Sequence, residues 1–154
     1  MMADIRKGTI EDIPRLVELG ALMHAESPRF RGFAFLPDRL KGNITLIMGM
    51  LGGYVSIAEK DGQIVGGFVA VATPHYACDV LQASDLALFI HPDHRGSTIA
   101  ARLLRAYVMW AKGIGAEPNI SLNTGVQPER TADLLRALGG VNTGSVWTWG
   151  AICA

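Results

Sequence analysis

Residues 91–104, HPDHRGSTIAARLL, place an arginine, a glycine and two hydroxyl side chains side by side. They stand between an apolar run, LALFI (86–90), which is typical of a strand, and a series that begins with Ile99 and Leu103 at helical spacing. One interpretation is a plain strand-to-helix turn with an N-cap. The other is a binding site for an anion.

The anion interpretation follows from the chemistry of a helix start. A helix that begins near Thr98 leaves about four backbone N–H groups unpaired and concentrates about half a positive charge there. Gly96 would allow close approach of a ligand to the backbone, Ser97 adds a hydroxyl donor, and Arg95 adds a cation that can bind two phosphate oxygens. A strand, a glycine-containing loop and a helix start together form a general pyrophosphate site. The stretch is neither a nucleotide P-loop nor a GxGxxG fingerprint, and from its residues alone both interpretations stay open.

The remaining sequence predicts the elements that would position this stretch. A helix after the motif has Tyr107 and Trp110 on the same face as Ile99, and the Asp61–Gly62 pair predicts a tight hairpin turn. The other predicted elements are strands at 4–9, 54–60, 63–73, 83–90, 119–124 and 144–153, and helices at 9–27, 37–51 and 128–138. This order predicts one mixed sheet with helices on its faces.

Composition restricts the class of protein. The 154 residues suit one domain, and 14 Lys and Arg against 14 Asp and Glu give no net charge, so neither nucleic acid nor an anionic membrane is an expected partner. No apolar run is long enough to span a membrane, and the N-terminus lacks the pattern of a signal peptide. Cys78 and Cys153 form no disulfide framework, which favours free thiols in a reducing cytoplasm.

With the elements in this order, the chain resembles the GNAT family, the GCN5-related N-acetyltransferases. The family motif, Arg/Gln-x-x-Gly-x-Gly/Ala, is matched by RGSTIA (95–100), which follows FIHPDH (89–94). The resemblance covers nearly the whole chain and implies a single GNAT domain over 1–154. The implied fold is α/β (α+β), a central mixed sheet of about six or seven strands flanked by about four helices. Its fourth and fifth strands would splay apart to admit acetyl-CoA.

The resemblance also implies residues for cofactor binding. Main-chain groups of Leu88 and Ile90 would pair with the pantetheine arm as an added strand would. Thr98 stands where the motif has its central glycine, which would narrow the approach to the backbone. The implied pyrophosphate site consists of Arg95 and the amides around Gly96, Ser97, Thr98, Ile99 and Ala100.

The acid and the base are less clearly implied. Family members often carry a base on the fourth strand, and the candidates here are Asp85 and its neighbour Ser84, whose side chains must point to opposite faces. The tyrosine that often protonates the leaving thiolate is replaced by Leu135. If Asp85 does not serve, His75 and Tyr76 are the next candidates, since their loop would border the acyl-transfer site.

Three functions stay open at this point. The first is an enzyme that moves an acetyl group from acetyl-CoA to a primary amine. The second is an acyl-CoA-binding module without turnover, which Thr98 and Leu135 favour, and the third is acylation of a macromolecule. The acceptor would be selected by loops 25–36 and 74–83, which the sequence does not specify.

Two further expectations concern metals and assembly. His91 and His94 lack a third ligand in the sequence, so turn residues are expected there and no metal site. The low proportion of charged residues, 18%, and the same-face Trp147 and Trp149 on the last predicted strand favour a homodimer.

Overall fold

The computed structural model describes residues 2–150 of the chain. Within them lie five strands: β1 (Asp4–Lys7), β2 (Gly53–Lys60), β3 (Gln63–Pro74), β4 (Leu81–Ile90) and β5 (Ala116–Asn119). The same residues contain four α-helices: α1 (Ile13–Glu26), α2 (Pro37–Gly49), α3 (Ile99–Gly113) and α4 (Pro128–Ala137). Short 3₁₀ turns precede α1 at Ile10–Asp12 and follow β4 at Pro92–His94.

The five strands form one mixed sheet in the order β1-β2-β3-β4-β5. All neighbouring pairs are antiparallel except β4 and β5, which are parallel because α3 carries the chain back between them. The β2–β3 turn uses Asp61 at φ +51° and Gly62 at φ +75°, as the Asp-Gly pair predicts. The mixed fold with four flanking helices is confirmed, whereas the described sheet has five strands instead of six or seven.

Helices cover both faces of the sheet. On one face α3 buries Leu103, Leu104 and Tyr107 against the sheet, and on the other α1 and α2 bury Leu16 and Ile44. Strand side chains alternate between the faces, so β3 and β4 contribute residues to both cores. The packing of α3 on the sheet fixes the position of the RGSTIA loop, which joins the end of β4 to the start of α3. None of the described helices has the length and apolar character needed to cross a bilayer.

Two predicted strands are wrong in their position or extent. The strand predicted at 119–124 is β5, which runs over Ala116–Asn119 and ends where that prediction begins. Pro118 argues against a strand at this point of the sequence, since proline has no N–H and is tolerated mainly in edge strands. The segment 144–150 of the last predicted strand pairs with no strand, and the remainder of that prediction, including Cys153, lies outside the described residues.

The aromatic residues of that segment are exposed. Trp147 is 81% exposed and Trp149 is 92% exposed, and Val141 and Val146 nearby are also largely open to solvent. The alternation of large and small side chains predicts a strand here, but a strand also needs a neighbouring strand to pair with, which the pattern does not reveal. The homodimer expected from these side chains stays a prediction.

Candidate active site

Strands β4 and β5 run together for only four residue pairs and then part. Their register extends from Leu81 opposite Ala116 to Ser84 opposite Asn119. Beyond this point a cavity of about 350 Å³ opens between residues 86–90 of β4 and residues 120–126 after β5. A volume of this size lies within the range of small-molecule sites. The splay expected between the fourth and fifth strands is therefore present as a cavity.

The backbone of β4 presents unused hydrogen-bonding groups to this cavity. The N–H of His91 donates to the carbonyl of Val65 on the β3 side, at 2.9 Å. In an antiparallel pair the bonded positions alternate, so Phe89 also faces β3, whereas Leu88 and Ile90 turn their N–H and C=O groups the other way. Those groups point to the side that β5 has left. Both residues also line the cavity.

Asp85 links β4 to the segment after β5 at the place where the two strands separate. Its Oδ1 accepts a hydrogen bond from the backbone N–H of Ser121 at 2.8 Å and contacts the Ser121 hydroxyl at 3.3 Å. Because β5 ends at Asn119, the Ser121 amide has no strand partner, and the Asp85 carboxylate provides its acceptor. Burial raises the pKa of Asp85 above its ordinary value, an effect that the Ser121 N–H partly offsets. Asp85 therefore stabilises the separated strands, in addition to any part it has in catalysis.

Tyr107 of α3 joins β4 and β5 just before the two strands separate. Its fully buried hydroxyl lies 2.8 Å from the carbonyl oxygens of Ala83 and of Asn119, one on each strand. A hydroxyl has one proton, so it donates to one of these carbonyls at a time. Burial, with a smaller contribution from the charge of Asp85, raises the pKa of Tyr107 to about 12. The phenol therefore stays protonated and bridges the last strand pair.

Of the two candidate bases, only Asp85 lies on the cavity wall. Ser84 is exposed, belongs to the last β4–β5 pair and does not line the cavity. A register shift between Val69 and Ala70 leaves Leu86 as an extra residue on β4 immediately after Asp85. His75 and Tyr76 also lie away from the cavity lining.

The loop before α3 presents free amides to the cavity mouth. Within residues 2–150, the N–H groups of Gly96, Ser97, Thr98 and Ala100 have no hydrogen-bond acceptor in the protein. The Ile99 N–H makes only a long contact of 3.4 Å to the Ser97 hydroxyl oxygen, and the Ile99 side chain is buried. Unpaired amides at a helix start are the donors expected of an anion site.

The backbone angles of the loop explain which residues tolerate side chains. Gly96 has φ +80°, a conformation that favours glycine. Thr98 has φ −77° and ψ 0°, an ordinary right-handed conformation, and its side chain is exposed. The absence of the family's central glycine at Thr98 therefore costs no backbone strain. Thr98 and Ile99 contribute their backbone near the site, but neither lines the cavity.

Arg95 has a different partner from the one expected. Its guanidinium lines the cavity yet forms an ion pair with Glu26 at the end of α1, and both side chains are mostly shielded from solvent. Next to Glu26, the buried Ser27 hydroxyl donates to the carbonyl of Thr124, beyond β5. The end of α1 thereby holds both rims of the cavity. The charge of Arg95 is thus already paired, and this pair joins the loop before α3 to the end of α1. Its expected role in pyrophosphate binding stays a prediction.

Helix α4 supplies the remaining wall. Arg130, Thr131 and Leu134 line the cavity, whereas Leu135, at the position of the family's usual tyrosine, packs against the core and does not line it. The helix contains no tyrosine, so it offers no phenol to a leaving thiolate. Nothing in the sequence context of Arg130 marks it as a site residue, and the same holds for Met23, which lines the cavity and also packs against the core.

The described residues contain no group of three or more His, Cys, Asp or Glu side chains that could hold a metal ion. His91 caps the short 3₁₀ turn by accepting the Asp93 N–H at 3.3 Å, and His94 lines the cavity mouth. His75 accepts the amides of its own loop. These hydrogen bonds give His75 and His91 local structural roles in their own turns.

Comparison with known proteins agrees with this architecture. The model of the acetyltransferase (GNAT) family matches residues 21–139, and the chain belongs to that family. Among curated proteins, no sequence matches the chain significantly.

Solved structures share the fold at low sequence identity. A protein from Bacillus halodurans C-125, described as a transcriptional regulator, aligns with a TM-score of 0.77 and 21% identity over 97% of this chain and 99% of its own. The aminoglycoside N-acetyltransferase AAC(6')-Iy, solved in complex with CoA, aligns with a TM-score of 0.73 and 20% identity over 98% and 95%. The aminoglycoside 6'-N-acetyltransferase AAC(6')-IG from Acinetobacter haemolyticus gives 0.74 and 16% over 96% and 97%.

The conformation of the loop leads to a prediction about Gly96. Gly96→Ala places a Cβ 2.7 Å from the Nη2 of Arg130 at the cavity mouth, so the guanidinium or the loop must shift. We therefore expect calorimetry to show acetyl-CoA binding weakened by about tenfold or more, which corresponds to about 1.4 kcal/mol. Gly115→Ala is the matched control, because Gly115 has φ +75° with open space around its Cβ position. Both variants should lose about 1–2 kcal/mol of stability from the left-handed backbone. Equal acetyl-CoA affinity in the two variants would exclude this loop as the anion site.

Proposed function

We propose that the protein is an N-acetyltransferase that uses acetyl-CoA and transfers the acetyl group directly to a primary amine. The observation that carries this proposal is the parting of β4 from β5, with the free groups of Leu88 and Ile90 at its wall and the free amides of the 95–100 loop at its mouth. An extended amide-containing arm pairs with an open strand edge, and a pyrophosphate pairs with a helix start. Acetyl-CoA carries both groups in that order.

The residues present fit each part of this cosubstrate. The open edge of β4 offers N–H and C=O groups to the two amides of the pantetheine arm. The amides of Gly96, Ser97, Thr98 and Ala100 offer donors to the pyrophosphate. A backbone N–H at the parted strand would also polarise the thioester carbonyl, as an oxyanion site does.

The chemical step is a direct transfer. The amine nitrogen forms a bond to the thioester carbonyl carbon, the carbon–sulfur bond breaks, and the sulfur leaves as a thiolate. The amine gives up one proton and the thiolate takes one, so no oxidant or reductant is required. Since α4 provides no phenol, we expect water to protonate the thiolate, which is a fairly good leaving group.

Asp85 is the proposed base for the amine proton. It lies on the cavity wall where the strands part, and its bonds to Ser121 use only Oδ1. A carboxylate with a raised pKa is a better proton acceptor than an ordinary aspartate, provided that it remains ionised at the working pH. The proton could pass directly or through one water molecule.

The main alternative is an acyl-CoA-binding module without turnover. The absence of a tyrosine from α4 favours this alternative, because a binding module would need the cavity and the loop amides but no proton donor. The loss of the motif glycine does not favour it, since Thr98 has an unstrained backbone. The presence of a partly buried carboxylate, Asp85, on the cavity wall favours the enzyme.

A steady-state assay separates these two functions. With acetyl-CoA and a panel of primary amines, including aminoglycosides, polyamines and amino-terminal peptides, we expect release of free CoA thiol that depends on at least one amine. Aminoglycosides belong in the panel because four of the structural neighbours are described as aminoglycoside acetyltransferases. Tight acetyl-CoA binding without amine-dependent thiol release across the panel would favour the binding module.

The position of Asp85 gives a second prediction. Asp85→Asn keeps an oxygen for the Ser121 N–H but cannot take a proton, so we expect kcat to fall about 10²- to 10⁴-fold while the acetyl-CoA Kd is unchanged. Because burial raises the pKa of Asp85, wild-type kcat should fall as the pH drops through a value above the ordinary aspartate pKa of about 3.9. The Asn variant should lack this limb.

Ser84→Ala is the matched control for this prediction. Ser84 is the neighbouring residue, but it is exposed and outside the cavity, so its removal should leave kcat and the pH profile unchanged. If Ser84→Ala impairs kcat and Asp85→Asn does not, the assignment of the base is wrong.

A further inference from the structure

Arg130, in the first turn of α4, lies directly over the glycine of the 95–100 loop. Its Nη2 is 2.7 Å from the position that a Cβ on Gly96 would occupy. Arg130 lines the cavity together with Arg95, Gly96 and Ser97. Two elements far apart in sequence, the start of α3 and the start of α4, therefore bring a guanidinium and a set of free amides to one place.

The charge of Arg130 is free, in contrast to the other arginines nearby. Arg95 is paired with Glu26, and Arg136 on the same helix is paired with Asp133 at 2.8 Å. In the part of the chain that the structure describes, Arg130 has no hydrogen-bond or ion-pair partner. The cavity mouth thus carries one uncompensated cation beside amides that lack acceptors.

A free guanidinium next to free amides suits a phosphate group. Arginine presents parallel N–H donors that match two phosphate oxygens, and such charge-assisted bonds are about twice as strong as neutral ones. A carboxylate would also satisfy the guanidinium, but it would leave several of the loop amides unpaired. The tetrahedral oxygens of a pyrophosphate can satisfy both sets of donors at once.

We infer that Arg130 is the side-chain ligand of the coenzyme pyrophosphate and closes over it from α4, in place of the paired Arg95. This inference rests on the proposed use of acetyl-CoA. It assigns α4 a part in cofactor recognition rather than in proton transfer. It also links cofactor binding to the position of α4, because the phosphate would join the starts of two helices.

The test compares Arg130→Ala with Arg136→Ala by calorimetry. Three ligands are used: acetyl-CoA, its dephospho form without the 3'-phosphate, and S-acetyl-pantetheine, which has no pyrophosphate. Arg130→Ala should bind acetyl-CoA and the dephospho form about 10- to 100-fold more weakly than the wild type and should bind S-acetyl-pantetheine equally well. Arg136→Ala, which removes an arginine of the same helix that does not line the cavity, should match the wild type for all three.

Each other outcome has a distinct meaning. Wild type that binds none of the three ligands would contradict the proposed function itself. Wild type that binds acetyl-CoA while Arg130→Ala binds it equally well would overturn only the role of Arg130. A loss shared by S-acetyl-pantetheine or by Arg136→Ala would overturn it too, as a general effect of helix position or charge. A loss confined to acetyl-CoA itself would assign Arg130 to the 3'-phosphate and overturn the pyrophosphate assignment.

Discussion

The separation of β4 from β5 after four residue pairs is the constraint on which the remaining structure depends. A strand that leaves a sheet abandons backbone groups that need partners, and this molecule provides them locally. The Asp85 carboxylate accepts a hydrogen bond from the Ser121 N–H, and the Tyr107 hydroxyl lies between carbonyls of β4 and β5. Beyond these caps, the groups of Leu88 and Ile90 stay open. The same event therefore creates both the cavity and the polar edge that can bind a ligand in it.

The rims of this opening are held from one place. The end of α1 is joined to the start of α3 through Glu26 and Arg95, and to the segment after β5 through Ser27 and Thr124. These contacts connect the loop with free amides to the parted strand. Because each joins residues about 70 to 100 positions apart in the chain, the cavity depends on the tertiary structure and on no single motif. On the opposite wall lies Arg130, whose guanidinium has no partner among residues 2–150.

The sequence predicted the hairpin, the four helices and the glycine-containing loop before α3 because local patterns determine them: a turn dipeptide, helical periodicity and a glycine at a helix start. Anion binding by that loop stays a prediction. It misplaced β5, since Pro118 conceals a short edge strand, and it assigned a strand to 144–150 from periodicity without a partner. It could not choose between Asp85 and Ser84, because the extra residue at Leu86 depends on pairing with β3. The Arg95–Glu26 pair and the position of Arg130 depend on tertiary contacts that no local pattern records.

Hydrogen–deuterium exchange with and without acetyl-CoA is the most direct test of the central claim, that the parted strand and the adjoining loop form one binding surface. With acetyl-CoA bound, we expect slower exchange at residues 86–90 and 96–100 together. The β2–β3 hairpin, whose amides are already paired, should show no change. Unchanged exchange in both segments at saturating acetyl-CoA, or protection at one segment without the other, would contradict the claim.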